Sequence, residues 1–159
     1  MSDSMVSGRK FRTLNIIDDC TREALTIEID TSLSAKRVTR VLDRLVREQG
    51  KPKSIRVDNG PEFTSYEYML WCKRNNIHIQ YIQPGKPMQN GYIERFNRLY
   101  REAVLDAYLF FELEDVKLLT QQWIEEYNER RPHEGLNNLT PVEYKKLAGE
   151  KKKAQLKAV

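Results

Sequence analysis

Two carboxylates stand where one kind of local structure gives way to another. Asp58 closes the β-prone run Ser54–Val57 and leads at once into Asn59-Gly60-Pro61. Glu94 falls in the opening turns of a helix, just after the Gly-, Pro-, Asn- and Gln-rich loop Gln83–Asn90. They are separated by 35 intervening residues. A carboxylate at a strand end and another at a helix start can converge on one point. Such a pair offers hard oxygen ligands to divalent cations held against a phosphodiester, with open positions for water and substrate. Local sequence supports plainer readings as well. Asp58-Asn59-Gly60 also reads as an Asx turn, and Glu94 with Arg98 at i+4 as a surface pair worth about 0.2–0.5 kcal/mol.

The surroundings of Glu94 suit a phosphate-rich ligand. Glu94, Arg98 and Arg101 share one helical face at i, i+4 and i+7, apart from the apolar face Ile93, Phe96, Tyr100, Ala103, Val104 and Ala107. In the preceding loop, Lys86 can contact phosphate, while Gln89 and Asn90 can hydrogen-bond a base edge or sugar. Lys36–Arg56 holds eight basic and two acidic residues, with Arg37, Arg40, Arg44 and Arg47 along one side of a helix. A solvated helix face is the better reading of that row, and a phosphate track the alternative. His133 follows Arg130-Arg131-Pro132 with no nucleophile identifiable beside it, so it is not assigned as a general base.

The elements that must position these residues follow from periodicity and punctuation. Phe11–Ile17 and Ala24–Asp30 form a hairpin about Asp18-Asp19-Cys20-Thr21-Arg22, with Leu25, Ile27 and Ile29 on one face. Ser34 caps a helix through Glu48 with Val38, Val41, Leu42 and Leu45 inward, and Gly50 ends it. Ser54–Val57 is a buried strand. A helix capped by Thr64 or Ser65 runs to Arg74 with Tyr68, Leu70 and Trp71 inward, and His78–Ile82 is a further strand. One helix runs from about Gln89 or Gly91 to Ala107, another spans Glu114–Glu129, and a last one starts at Thr140-Pro141, Pro being favoured at the first helical position. The sum is an α/β chain: a mixed sheet flanked by helices.

Four blocks then resemble one family in chain order: RTLNIIDDCTREALTIEID (Arg12–Asp30), VDNGPEFTS (Val57–Ser65), PGKPMQNGYIERFNRLYREAVLD (Pro84–Asp106) and YNERRPHEGLNNLTPVEY (Tyr127–Tyr144). They resemble the catalytic core of insertion-sequence (orfB-type) transposases of the retroviral-integrase group, whose Asp-Asp-Glu triad keeps the same second gap. The resemblance implies a ribonuclease-H-like fold and a polynucleotidyl transferase acting in DNA cleavage and strand transfer. It implies Asp58 and Glu94 as catalytic and metal-ligating residues, with Mg²⁺ or Mn²⁺, two ions in the complete enzyme. Lys86, Gln89, Asn90, Arg98 and Arg101 become expected DNA contacts. The implied partners are DNA, as transposon ends and target, and further copies of the chain in a DNA complex. In the family the first Asp lies on a strand like Trp-Ser-Met-Asp-Phe, before the segment resembling Met1–Lys10. No residue here takes that position, so the expected sheet lacks its first strand and activity of this chain by itself is left open. The alternatives are a catalytically incompetent fragment that binds DNA or a partner, and a stand-alone ribonuclease-H-like nuclease.

Composition sets the outer bounds. The 159 residues are enough for one core-forming domain, read as residues 1–149 with a basic, disordered tail at 150–159. That tail carries four lysines and one glutamate, leaving 23 basic and 22 acidic residues in the body. The net charge of +4 is therefore no argument for a nucleic-acid partner; local patches must carry it. No apolar run approaches a membrane span and no signal-like stretch opens the chain. Two cysteines without ligand-spaced neighbours suit a reducing cytoplasm; the resemblance implies a bacterial one, near the nucleoid.

Overall fold

Three antiparallel strands come first, in the order β1 (Ser2–Ser4), β2 (Lys10–Ile17), β3 (Ala24–Asp30). The computed structural model describes the backbone of residues 1–157 and the side chains of residues 1–150. Of the tail expected at 150–159, the described backbone continues the last helix to Lys157, and residues 158 and 159 lie outside the described residues. Met1–Lys10, expected as loop, holds a strand of three residues, Ser2–Ser4. Ser-Asp-Ser is poor strand material; pairing of Ser2, Asp3 and Ser4 with Arg12, Phe11 and Lys10 imposes the geometry.

At the β2–β3 turn, Asp18 Oδ1 accepts the N–H groups of Cys20 (2.7 Å) and Thr21 (2.8 Å), and Arg22 takes a left-handed φ of 61°. The register slips there: Ile16 faces Thr26, but Ile17 faces Ala24. The extra residue is Leu25, and the bulge turns it to the opposite face from Ile27 and Ile29. The uninterrupted alternation expected for these three therefore breaks. Ile27 and Ile29 join one core cluster while Leu25 packs on the other.

Helix α1 (Ala35–Gln49) starts where Ser34 Oγ accepts the Arg37 N–H at 3.3 Å, and Gly50 ends it with φ 90°. Val38, Val41, Leu42 and Leu45 are buried as expected. Strands β4 (Ser54–Val57) and β5 (His78–Tyr81) run parallel, joined through α2 (Pro61–Thr64) and α3 (Tyr66–Arg74). On α3, Tyr68 and Cys72 are buried, whereas Leu70 and Trp71 are half-buried. A 3₁₀ turn (Pro87–Asn90) leads into α4 (Gly91–Tyr100). The chain continues through α5 (Leu113–Glu129) to α6 (Pro141–Lys157), the last begun by a Thr140–Glu143 capping box.

The helix expected to run unbroken to Ala107 instead passes into a π-turn at Arg101–Leu105. An inserted residue rotates everything after it by about 100°. Val104 and Leu105 are thus buried, while Ala103 and Ala107 are exposed.

Two hydrophobic clusters lie on either side of β2. Phe11 belongs to the cluster with Phe96, Tyr100, Val116 and Tyr127, and Leu14 to the cluster with Val38, Leu42, Val57 and Tyr68. The two sheets are not joined to each other. Consequently β4, expected as buried, is half-exposed or exposed except at Val57. Between the sheets lies a cavity of about 630 Å³, lined by both β2 and β4.

Candidate active site

Asp58 is carried on the carboxyl end of β4, at the mouth of that cavity. Its Oδ1 accepts the Gly60 N–H at 2.8 Å, so the Asx turn is formed. A Cβ on Gly60 would stand 2.9 Å from that oxygen, which explains why this turn needs glycine. Asn59 Nδ2 donates to Ile82 O at 3.2 Å, tying the loop after β4 to the end of β5. The turn engages one oxygen of Asp58; the side chain is exposed and makes no ion pair among the described residues. Turn and metal ligation are therefore compatible.

Glu94 sits in the first turn of α4, exposed. Its helix is held firmly from beneath. Phe96 packs edge-on against Trp123 and Tyr127, with centroids 5.4 and 5.1 Å away, and Tyr100 shares a buried hydrogen bond of 2.7 Å with Thr120. Burial pushes the Tyr100 phenol up to about 12, despite the opposing Thr120 bond. The start of α4 is fixed by three further contacts. The Arg22 guanidinium lies 3.3 Å over the Tyr92 ring, Asn15 Nδ2 donates to Asn97 Oδ1 at 2.8 Å, and Gln89 Oε1 accepts the Gln83 N–H at 3.0 Å. Gln89, Asn90, Ile93 and Asn97 line the same cavity as Asp58, whereas Glu94, exposed on the same helix, does not.

The amino terminus reaches this region too. The Met1 ammonium donates to Thr13 O at 2.7 Å. Burial pushes its pKa below the usual value, Arg12 and Arg101 push the same way, and the carboxylates of Glu62 and Asp58 oppose them. Asp58 is thus close enough to Met1 to be felt by its charge.

The expected DNA contacts divide into two kinds. Lys86 and Asn90 belong to the loop and turn before α4, and Arg98 is exposed on the helix. Arg101 is engaged within the chain: it reaches Asp3 at 3.1 Å, Asp106 at 3.4 Å and Ser2 O at 3.0 Å. Similarly, Arg37 and Arg44 clamp Glu28 of β3 at 2.6 and 3.1 Å, which fits neither a free phosphate track nor a wholly solvated face. His133 packs edge-on against Tyr127 at 4.9 Å and does not line the Asp58 cavity. Burial lowers its pKa, and Arg131, Arg95 and Arg22 lower it further.

Among the described residues no group of three or more His, Cys, Asp or Glu could together hold a metal ion. Asp58 and Glu94 are two exposed carboxylates, one just after a strand and one in the first turn of a helix. Reading the sequence missed the supports: Arg22 on Tyr92, and Asn15 on Asn97 across a separation of 82 residues. No periodicity signals contacts of that range.

Comparison with known proteins decides the family. Residues 3–87 and 75–141 both match the integrase core domain. The chain belongs to the integrase core domain family. Relatives of this integrase core include a 31.7 kDa protein of insertion element IS407 from Burkholderia multivorans, 42% identical over 89% of this chain and 51% of the relative. A 39.2 kDa protein of insertion element IS476 from Xanthomonas euvesicatoria is 35% identical over 89% of this chain and 41% of the relative. The chain thus spans about half, or less, of the length of these relatives. Among solved structures, the catalytic core domain of HTLV-2 integrase in complex with magnesium matches with TM-score 0.67 at 16% identity, over 89% of this chain and 88% of that one. The integrase core therefore has the ribonuclease-H-like fold, and the resemblance to insertion-sequence transposases holds. Among the described residues no helix is long and apolar enough to cross a membrane.

Proposed function

We propose that this integrase core acts in DNA transposition, cleaving and joining DNA strands with Asp58 and Glu94 as its divalent-cation ligands. The observation that supports it best is the placement of Asp58 and Glu94. One ends a strand, the other starts a helix, and residues of both elements line a single cavity. The residues fit Mg²⁺ or Mn²⁺: both offer hard oxygens, both are exposed, and only one Asp58 oxygen is engaged by the turn. When bound, such cations activate the attacking hydroxyl and stabilise the leaving oxygen of an in-line displacement.

The chain's own residues supply position. The Asx turn and the Asn59–Ile82 bond orient Asp58, while Phe96 and Tyr100 anchor the helix under Glu94. Lys86 and Arg98 flank the site and grip phosphates; Gln89 and Asn90 face the sugar or base edge. Arg101 contributes less to DNA, since Asp3 and Asp106 neutralise it. The family's triad includes a third carboxylate, which the resemblance places on a strand like Trp-Ser-Met-Asp-Phe. DNA is the partner, and assembly of several copies on it is part of the same proposal.

Joining of pre-cut transposon-end DNA in Mg²⁺ tests this. The chain should be compared with a version extended at Met1 by a strand of the family's Trp-Ser-Met-Asp-Phe pattern, which supplies the first Asp of the triad. The extended chain should join DNA and lose joining in Asp58→Asn and Glu94→Gln. An extended chain that binds DNA yet never joins it would favour a binding role instead.

A further inference from the structure

Three arginines from three separate segments meet on one flank of α4. Arg22 belongs to the β2–β3 turn, Arg95 to α4 and Arg131 to the loop after α5. The packing of their neighbours brings them together. Asn128, in the last turn of α5, accepts the Ala24 N–H at 2.8 Å and donates to the Ala24 carbonyl at 3.0 Å, which ties the β2–β3 turn to α5. Phe96, the residue after Arg95, meets Tyr127 of α5 at 5.1 Å, and Tyr127 meets His133 at 4.9 Å. The Arg22 guanidinium lies 3.3 Å over the ring of Tyr92, about one helical turn before Arg95. Burial raises the Tyr127 phenol and lowers His133, and the charges of Arg131, Arg95 and Arg22 act on both.

Nothing among the described residues balances this charge. Arg12, Arg37, Arg44, Arg56 and Arg101 each hold a carboxylate, whereas Arg22, Arg95 and Arg131 hold none. Glu23, beside Arg22, turns to Lys145 at 2.7 Å instead. Two inner atoms of the cluster are also unpaired: Arg22 Nη1 and His133 Nε2 are buried without a hydrogen-bond partner. Buried polar groups are ordinarily paired, and buried charges more strictly so. Neither residue is loosely held. The His133 N–H donates to Leu139 O at 3.0 Å and its carbonyl accepts the Asn138 N–H at 2.9 Å. Arg22 takes a φ of 61°, a conformation more often given to Gly or Asn. Arg95 and Arg131 are exposed, so the cluster opens to solvent on their side.

We propose that Arg22, Arg95, Arg131 and His133 bind one backbone phosphate of DNA, on the flank of α4 beside Glu94. The inference rests on the DNA reading above and adds a contact outside the reaction centre. Arg95 follows Glu94 by about 100° around the helix, so the cluster lies next to that centre and not in it. A guanidinium presents paired N–H groups that match two phosphate oxygens. Arg95 and Arg131 close on the phosphate from the open side. Arg22 and His133 form the half-buried floor, and His133 takes a proton from solvent so that both ring nitrogens become donors. A phosphate contact carries no base information, so this site fixes the path of the DNA backbone for any sequence.

Two measurements on the intact chain test the site. The chain has two histidines, His78 and His133, and His78 is exposed, so His78→Gln assigns the imidazole signals in NMR. Short duplex DNA should shift the His133 signal and raise its titration midpoint, because a nearby anion favours the charged ring. In the second measurement, DNA anisotropy across a salt series compares the parent with Arg95→Gln/Arg131→Gln, both at exposed positions. The double variant should reduce the slope of log K against log salt by about 0.9, the value for one shared phosphate. A reduction of about 1.8 would mean two separate phosphates, and an unchanged slope no contact; either overturns the proposal. DNA that binds while His133 stays unmoved would remove this site and leave the DNA reading intact. DNA that does not bind the parent at all would remove both. A His133 shift produced by inorganic phosphate but not by DNA would assign the cluster to a free anion and likewise overturn the proposal.

Discussion

Removing the hydroxyl at either end of the Tyr100–Thr120 bond should have unequal consequences, and the inequality reports how α4 is anchored under Glu94. The bond is 2.7 Å long, with Tyr100 fully buried and Thr120 2% exposed. In Thr120→Val the phenol O–H is left in an apolar pocket with no substitute partner, which costs about 1–3 kcal/mol. In Tyr100→Phe the Thr120 hydroxyl can turn to its own helix and bond the carbonyl four residues back, at Val116. That variant should lose only about 0.5–1.5 kcal/mol. The double variant should lose less than the two singles summed, by at least about 0.5 kcal/mol, because neither apolar group is left opposite an orphan. At about 2–4 °C per kcal/mol for a chain of this size, thermal unfolding resolves these steps. Alkaline pH offers an independent check. The folded phenol, held up to about 12, keeps its proton while an unfolded tyrosine loses it near 10. The stability it contributes is complete below pH 10 and disappears as pH rises towards 12. Tyr100→Phe should lack that part of the alkaline loss. Equal destabilisation by the two single variants, or strict additivity in the double, would refute this account of the anchor.

Three other outcomes follow from the same contacts. For DNA binding followed by anisotropy across a salt series, Lys86→Ala and Arg98→Ala should each reduce the slope of log K against log salt by about 0.9. Arg101→Ala should leave that slope nearly unchanged while lowering the thermal midpoint, because Asp3 and Asp106 lose their partner; a full slope change would place Arg101 on DNA after all. His133, its pKa depressed below 6.5 by burial and nearby arginines, resists a proton that the unfolded chain accepts. Its contribution is complete above pH 6.5 and is lost as pH falls, so urea midpoints at pH 7.5 and 5.5 should differ less in His133→Phe than in the parent. Phe96→Ala, which empties the junction of α4 with Trp123 and Tyr127, should cost about 3–5 kcal/mol in chemical denaturation; a loss under about 1 kcal/mol would mean that the site collapses to fill the space.

Local signals carried much of this fold, and the exceptions have identifiable causes. Ser34, Gly50, Ser65 and Thr140-Pro141 mark helix ends because capping is decided by the residues themselves. The bulge at Leu25 and the π-turn at Arg101–Leu105 leave no such mark, since each is a register shift set by what packs against it. The half-exposed β4 was likewise illegible: Ser54–Val57 read as buried, Val57 alone is, and only the sheet order shows that one edge has no neighbour. At the site, Asp58 and Glu94 stood out by type and position. The internal pairing of Arg101 with Asp3, 98 residues away, did not, because charge on a helix face does not reveal which carboxylate another strand brings.

The central claim is that Asp58 and Glu94 serve one divalent cation site. Mn²⁺ titration of the chain, reading free ion by electron paramagnetic resonance, tests it directly beside Asp58→Asn, Glu94→Gln and the control Asp19→Asn. Asp19 is a fair control, since its carboxylate is already paired with Arg56 at 2.7 Å. Weak binding in the parent, weakened further by each of the first two substitutions and untouched by the third, is the predicted result. Binding that survives unchanged in both Asp58→Asn and Glu94→Gln would contradict it.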